Sequence, residues 1–227
     1  GTGRGLTWDF IVVHEAAHEW WANNITANDE ADLWVHESFA NYAENLYVEC
    51  ETGSRDAGAE YVIGTRARIT NDSPIVGAYG VNDSGSGDMY YKGGNLLHAI
   101  RQVVDDDARW RGILRGLNEE FRRTTVDGAD IEAYVSRVSG IDLSRVFDQY
   151  LRTTMVPTLE YRVRGSTLSY RWTNVVQGFA MPVRVRLAPG AWTWVRPTES
   201  WQDAELGVPA TDFEVDPDFY VTAVGVG

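Results

Sequence analysis

The chain is predicted to be an α+β protein, with a mainly helical lobe over residues 1–156 and a small all-β sandwich domain over residues 157–227. Three observations carry that reading. Apolar residues recur at helical spacing ahead of Pro157, as in Leu96, Leu97, Ile100, Val103 and Val104. Beyond Pro157 the pattern changes to strand-like alternation, as in Val183-Arg184-Val185-Arg186-Leu187. The length of 227 residues, 44% of them apolar and 12% aromatic, suffices for one large domain or two small ones with a substantial core and argues against disorder.

Gly1 to Gly5 is glycine-rich and reads as a loop. A first helix is expected from Trp8 to Asn23, deeply buried because Ile11-Val12-Val13 precedes its polar centre and Trp20-Trp21 follows it. Thr26 to Asp32 is polar and offers Asn28 or Asp29 as N-cap of a second helix that runs to Glu51 and stops at Gly53. Ser54 to Asp72 reads as a third helix, ended by Pro74. Ser73 to Asp88 holds Gly77, Gly80, Gly85 and Gly87, too many for regular structure, and a loop of that length suggests a functional role. Helices follow over Tyr91–Val104, Asp107–Phe121, Gly128–Ser139 and Leu143–Leu151, with Asp107 and Asp127 as caps. His98, on an apolar helix, is expected to be a packed core residue, as are Trp20 and Trp21. Strands are expected at Thr158–Val163, Thr167–Trp172, Val183–Leu187, Trp192–Val195, Phe213–Val215 and Phe219–Val224, joined by Gly and Pro turns.

Composition narrows the partners. Acidic residues outnumber basic ones 33 to 20, for a net charge of -13, which argues against nucleic acid or an anionic membrane, since each calls for a basic patch. No apolar run reaches the length needed to span a bilayer. Cys50 is the only cysteine, so an internal disulfide and a cysteine metal cluster are both excluded; it is expected as a small apolar filler on the second helix. A cytoplasmic compartment is favoured.

The chemistry concentrates in His14-Glu15-Ala16-Ala17-His18. Histidines four apart on a helix share a face, so both imidazoles can reach one metal ion. Burying His14, Glu15, His18 and Glu19 together would be costly unless something satisfies them, and a zinc ion with a third protein ligand does so. Glu15 points about 100° further round the helix and is placed instead to take a proton from a zinc-activated water. Glu37, with eighteen residues between it and His18, lies on the second helix within reach as the third ligand. Asn41 and Glu44, four and seven residues beyond Glu37, fall on the same helix face and are candidates to bond the ligating groups from behind.

These residues resemble the gluzincin zinc aminopeptidases, the family of aminopeptidase N and leukotriene A hydrolase. The family pattern is HExxH, eighteen residues, then Glu within Trp-x-x-Glu-Gly-Phe-Ala-x-Tyr; here the second block is Trp34-Val35-His36-Glu37-Ser38-Phe39-Ala40-Asn41-Tyr42. Between them, His18-Glu19-Trp20-Trp21-Ala22-Asn23-Asn24-Ile25-Thr26 is similar to His-x-Trp-Phe-Gly-Asn-x-Val-Thr, and Tyr90-Tyr91-Lys92-Gly93 resembles the Tyr-x-Lys-Gly block of the catalytic tyrosine. The resemblance covers residues 8 to 155 and implies a thermolysin-like helical lobe, bound Zn2+ held by His14, His18 and Glu37, and Glu15 as general base and acid. It also implies Tyr90 as the donor to the oxyanion and a peptide substrate with a free N-terminus. His36 and Ser38 depart from the family's Asn and Gly. The family's Gly-x-Met-Glu-Asn amine anchor has no copy here, so the chain reads as the C-terminal part of the enzyme, and the missing N-terminal segment of the same protein is expected as a partner, covalent or separate. Two alternatives stay open: a thermolysin-like zinc endopeptidase, and a non-catalytic relative acting as a binding scaffold.

Overall fold

The computed structural model describes residues 8–190, 192–205, 207 and 213–227, so the loop expected over Gly1–Gly5 lies outside the described residues. Asp9 opens the first helix, α1 (Phe10–Ala17), by accepting the Ile11 N–H at 3.3 Å. The helix is shorter than expected. From Ala16 onward the backbone tightens into i→i+3 bonds, Glu19 N–H to Ala16 and Trp20 N–H to Ala17, and the chain turns over. That reversal returns the Trp21 carbonyl to the His18 ring.

Deep burial of α1 is also corrected. Val12 is 64% exposed and Trp20 54%, whereas Trp21 is buried and stacks on Phe39 with ring centroids 5.5 Å apart. One side of α1 packs on the second helix. The other, Val12, Val13 and Ala16, lines an open apolar groove of about 800 Å³ with Trp20 beyond the helix end and with Leu46 and Leu114.

The next strand, β1 (Ile25–Ala27), pairs in parallel with β2 (Thr124–Val126), a ladder too short to announce itself by alternation. Neither candidate caps the second helix: Asp29 accepts the Ala31 N–H at 2.9 Å and opens a 3-10 turn, Glu30–Asp32, and α2 (Trp34–Thr52) follows from Leu33 without a side-chain cap. Gly53 ends α2 in the left-handed region at φ 65°, where a side chain would be strained. Cys50 is exposed on the last turn of α2 rather than packed as a filler.

Ser54 caps α3 (Arg55–Gly64), which runs on as a 3-10 turn only to Arg68 instead of reaching Asp72. Asp88 is the reason: its carboxylate accepts the N–H groups of Thr70 and Asn71 at 2.9 and 2.6 Å, withdrawing them from a helix. The glycine-rich segment that follows stays irregular up to a 3-10 turn at Gly87–Met89.

The remaining helices agree with expectation within a residue or so: α4 (Tyr91–Val104), α5 (Asp107–Glu120), α6 (Gly128–Ser139) and α7 (Ser144–Arg152). Asp106 rather than Asp107 caps α5, accepting the Arg109 N–H at 2.9 Å, and Asp127 with Asp130 forms a capping box on α6. All of α4 from Lys92 to Val104 is buried, polar residues included. His98 is in the interior as expected, its Nε2 bonded to Asp218 at 3.1 Å.

Past α7 come β3 (Thr158–Arg164), β4 (Thr167–Thr173), β5 (Val183–Arg186), β6 (Thr193–Val195), β7 (Gln202–Glu205), β8 (Glu214–Val215) and β9 (Thr222–Gly225). They form a four-stranded sheet, β7-β4-β3-β9, and a three-stranded sheet, β6-β5-β8. Leu159, Leu168, Trp172, Val183, Val185 and Val195 alternate inward from both sheets into the core. Strand β7 escaped the sequence reading because Gln202-Asp203-Ala204-Glu205 offers no large apolar side chain. The chain is thus a mixed α and β protein. Among the described residues no helix is long and apolar enough to cross a membrane.

The closest helix contact near the chemistry is that of α2 with α4. A Cβ on Gly93 would lie 1.9 Å from Ser38 Oγ, far inside contact distance. Alanine gains about 1 kcal/mol of helix propensity over glycine, but overpacking costs about 1–3 kcal/mol. Gly93→Ala is therefore expected to lower the melting temperature, and adding Ser38→Gly to recover most of the loss in thermal unfolding.

Candidate metal centre

His14 and His18 project from the same side of α1 onto the first turn of α2, where Glu37 meets both. His14 Nε2 lies 3.1 Å from Glu37 Oε2 and His18 Nε2 lies 3.6 Å from the same oxygen. The rings stand edge to face with centroids 4.9 Å apart. Each ring is held from behind. His14 Nδ1 donates to Glu44 Oε1 at 2.9 Å, and His18 Nδ1 donates to the Trp21 carbonyl at 3.0 Å. With Nδ1 tied to an acceptor in both, the Nε2 atoms are the ones turned toward Glu37.

The donor set fits a small dication. In a tetrahedral zinc site with bonds of ~2.0–2.1 Å, donor atoms stand about 3.3 Å apart, and the two distances to Glu37 straddle that value. Among the described residues this is the one group of His, Cys, Asp and Glu whose ligand atoms gather so closely. Without an ion the charges compensate through a proton. Burial pulls the His14 imidazolium down, but the Glu37 and Glu44 carboxylates outweigh it and lift the group to about 9.

Around this point stand the other residues singled out in the sequence. Glu15 is exposed at the edge of the α1 turn between the two histidines. Tyr90, just ahead of α4, places its ring centroid 5.8 Å from that of His14. Burial first, then Glu37 and Glu15, push its phenol above the ordinary tyrosine range, so it stays a proton donor at neutral pH. Glu44 is 1% exposed and takes a second bond, from Asn41 Nδ2 at 3.1 Å; Asn41 thus reaches the centre only through Glu44. His36 and Ser38 have structural tasks. Burial holds the His36 imidazole below its usual range, and its Nε2 accepts the Ala27 N–H of β1 at 2.7 Å. Ser38 Oγ donates to the Met89 carbonyl at 2.7 Å, just before Tyr90.

Two contributors escaped the sequence reading, and so did the burial of Lys92. The Trp21 carbonyl is a backbone atom, and nothing in residue identity marks it. Tyr61, on α3, donates its hydroxyl to Glu44 Oε2. Lys92 left a signal that a count would have caught: it is the chain's only lysine, every other strong base being arginine. It is wholly buried two residues past Tyr90, with Nζ donating to the Thr153 carbonyl at 2.8 Å.

A helix that presents two imidazoles, a second helix that presents a carboxylate to them, and a tyrosine leading into a fourth helix define a gluzincin-type peptidase domain. The chain belongs to peptidase family M1, whose domain profile matches residues 6–150. It is 23% identical over 170 residues to probable aminopeptidase 1 of Sulfurisphaera tokodaii, covering 70% of this chain and 22% of that protein. It is 29% identical over 171 residues to aminopeptidase N of Lactococcus lactis, covering 70% and 20%. An M1 zinc metallopeptidase from Deinococcus radiodurans, solved as a mutant with a Tyr-Ser-Ala substrate, superposes with a TM-score of 0.55 at 23% identity over 66% of this chain and 34% of that one. The chain spans about a fifth of the length of these curated relatives.

Burial depresses the Lys92 ammonium to about 8, with Asp88 opposing the shift. A lysine whose folded value lies below its unfolded ~10.4 costs stability while charged, and that cost is relieved as pH rises from 8 toward the unfolded value. With the chain labelled in lysine 13Cε, its single resonance should titrate near 8 in the folded protein. Titration near 10.4 would contradict the buried placement.

Proposed function

We propose that this chain carries the zinc centre and reacting groups of a metalloaminopeptidase, with His14, His18 and Glu37 holding the metal. We read residues 1–156 as the helical, thermolysin-like part of a catalytic domain and residues 157–227 as a β-sandwich domain that supports it. The supporting observation is the convergence of both Nε2 atoms on Glu37 Oε2 while each Nδ1 is tied to an acceptor behind it. A divalent zinc held there supplies Lewis-acid chemistry, acidifying water and polarising a carbonyl.

The chain's own residues then divide the work of hydrolysis. Glu15 is free of the ligand set and takes a proton from the attacking water as its oxygen bonds to the peptide carbonyl carbon. The same carboxyl passes that proton to the departing amine nitrogen as the C–N bond breaks. Tyr90 keeps its hydroxyl proton and donates it as a hydrogen bond to the carbonyl oxygen, where negative charge develops. Glu44 and Asn41 hold the His14 ring in the tautomer that offers Nε2.

Recognition of the substrate's free amine is assigned to protein outside these 227 residues, because the amine-anchor segment of the family has no copy among them. The substrate class proposed is therefore a peptide with a free N-terminus, bound jointly by this chain and the preceding part of the protein. The relatives named above are aminopeptidases by name, which supports the same reading.

The decisive experiment is metal analysis joined to kinetics on the protein that includes the preceding segment. Wild type should hold one zinc, and Glu37→Ala should lose it. Glu15→Gln should keep the metal and lose turnover by about 10²–10⁴-fold. Tyr90→Phe should also keep the metal and lose about 2.7–4 kcal/mol of transition-state stabilisation. Peptides with acetylated N-termini should be cleaved poorly; equal cleavage of free and acetylated peptides would make the protein an endopeptidase instead.

A further inference from the structure

The Glu44 carboxylate has two oxygens, and each is committed to a different element. Oε1 accepts from His14 Nδ1 of α1 at 2.9 Å and from Asn41 Nδ2 of its own helix at 3.1 Å. Oε2 accepts the hydroxyl of Tyr61, which comes from α3. The phenol is itself held by packing: the Trp8 ring contacts both Tyr47 and Tyr61, with centroids 5.2 and 5.3 Å away. Three helices thus meet on one buried carboxylate, and Trp8, two residues ahead of α1, packs on the phenol.

We propose that Tyr61 is a positioning residue for the metal centre, acting through Glu44 to hold the His14 ring with its proton on Nδ1 and its lone pair on Nε2. The argument rests on the proposed role of His14 as a ligand. A buried carboxylate with one oxygen unsatisfied turns to share both oxygens with its one strong donor, or draws the shared proton toward itself. Either change moves the His14 ring or strips Nδ1 of its proton. The phenol blocks the first by anchoring Oε2 and opposes the second by taking up part of the carboxylate's charge in a charge-assisted bond. Asn41 does not substitute for it, because it bonds the oxygen that His14 already uses.

Tyr47 supplies the control. It packs against the same Trp8 ring, and its own ring remains when its hydroxyl is removed. Mutation of groups that bond a ligating residue costs about 10–100-fold in metal affinity, so Tyr61, one bond further out, is expected at or just below the low end, about 3–10-fold.

The test is zinc affinity of the full chain, measured by competition with a chromophoric chelator, for wild type, Y61F, Y47F, E44Q and E44Q/Y61F. Y61F should weaken binding by that factor, Y47F should leave it unchanged, and Y61F should add nothing once Glu44 is Gln, since the charge it tempers is gone. In the zinc-free chain the His14 Nδ1–H proton signal should shift in Y61F and stay in place in Y47F, a readout that general loosening of the fold does not imitate. Unchanged affinity in Y61F, an equal loss in Y47F, or a full additional loss in the E44Q background would each overturn the assignment. If wild type itself takes up no zinc, the metal-centre reading falls and this inference with it; if wild type binds and Y61F binds equally, only this inference falls.

Discussion

An imidazole buried between two carboxylates is the constraint on which the rest of this structure depends. His14 touches Glu37 through one ring nitrogen and Glu44 through the other, with the side chains of His14 and Glu44 almost wholly out of water. Two acidic groups in such a place are costly unless positive charge accompanies them. A proton on His14 serves in the ion-free chain, and this is why its affinity for that proton is so high. A dication between Nε2 and Glu37 would answer the same electrostatic demand while leaving the Nδ1–H bond to Glu44 in place. The elements that converge here each bring one part of that balance: imidazoles from α1, carboxylates from α2, the phenol from α3.

The helix that carries Tyr90 into this site is clamped from behind by the sheets. Buried α4 bears Lys92, Asn95, His98, Arg101 and Gln102, and each finds a partner. Arg101 pairs with Glu49 of α2 and Asp107 of α5, while Asn95 accepts from Arg66 at 2.6 Å. The turn between β8 and β9 reaches into the same region. Asp218 meets His98, the Pro217 carbonyl accepts from Arg66, and the Tyr220 carbonyl accepts from the Tyr150 hydroxyl at 2.7 Å. Displacing the sheets would therefore release α4 at several points, and Tyr90 with it.

What was legible in the sequence follows from which contacts have a fixed sequence spacing. His14, His18, Asn41 and Glu44 could be placed relative to their helix neighbours because helical geometry sets i+4 and i+7 on one face, and the structure brings the first two together with Glu37. The ends of α4 to α7, to within a residue, and most strands also showed, through apolar period and capping residues. The early end of α1 did not, because it depends on a backbone carbonyl turning back to His18. Nor did the end of α3, which Asp88 enforces from a distant turn. The exposed flank of α1 has a simple cause: an apolar run states that a surface is suited to burial, and not whether anything covers it. The polar face of α4 misleads in the opposite sense, since it would read as solvent-facing and is buried under charged partners.

The central claim is that two ring nitrogens of α1 and one carboxylate oxygen of α2 hold the same ion. X-ray absorption at the zinc edge of the zinc-loaded chain reads this most directly. The account predicts nitrogen and oxygen neighbours alone at ~2.0–2.2 Å, with the outer-ring scattering of two imidazoles. A sulfur neighbour at ~2.3 Å, or a shell of oxygens without imidazole scattering, would contradict it.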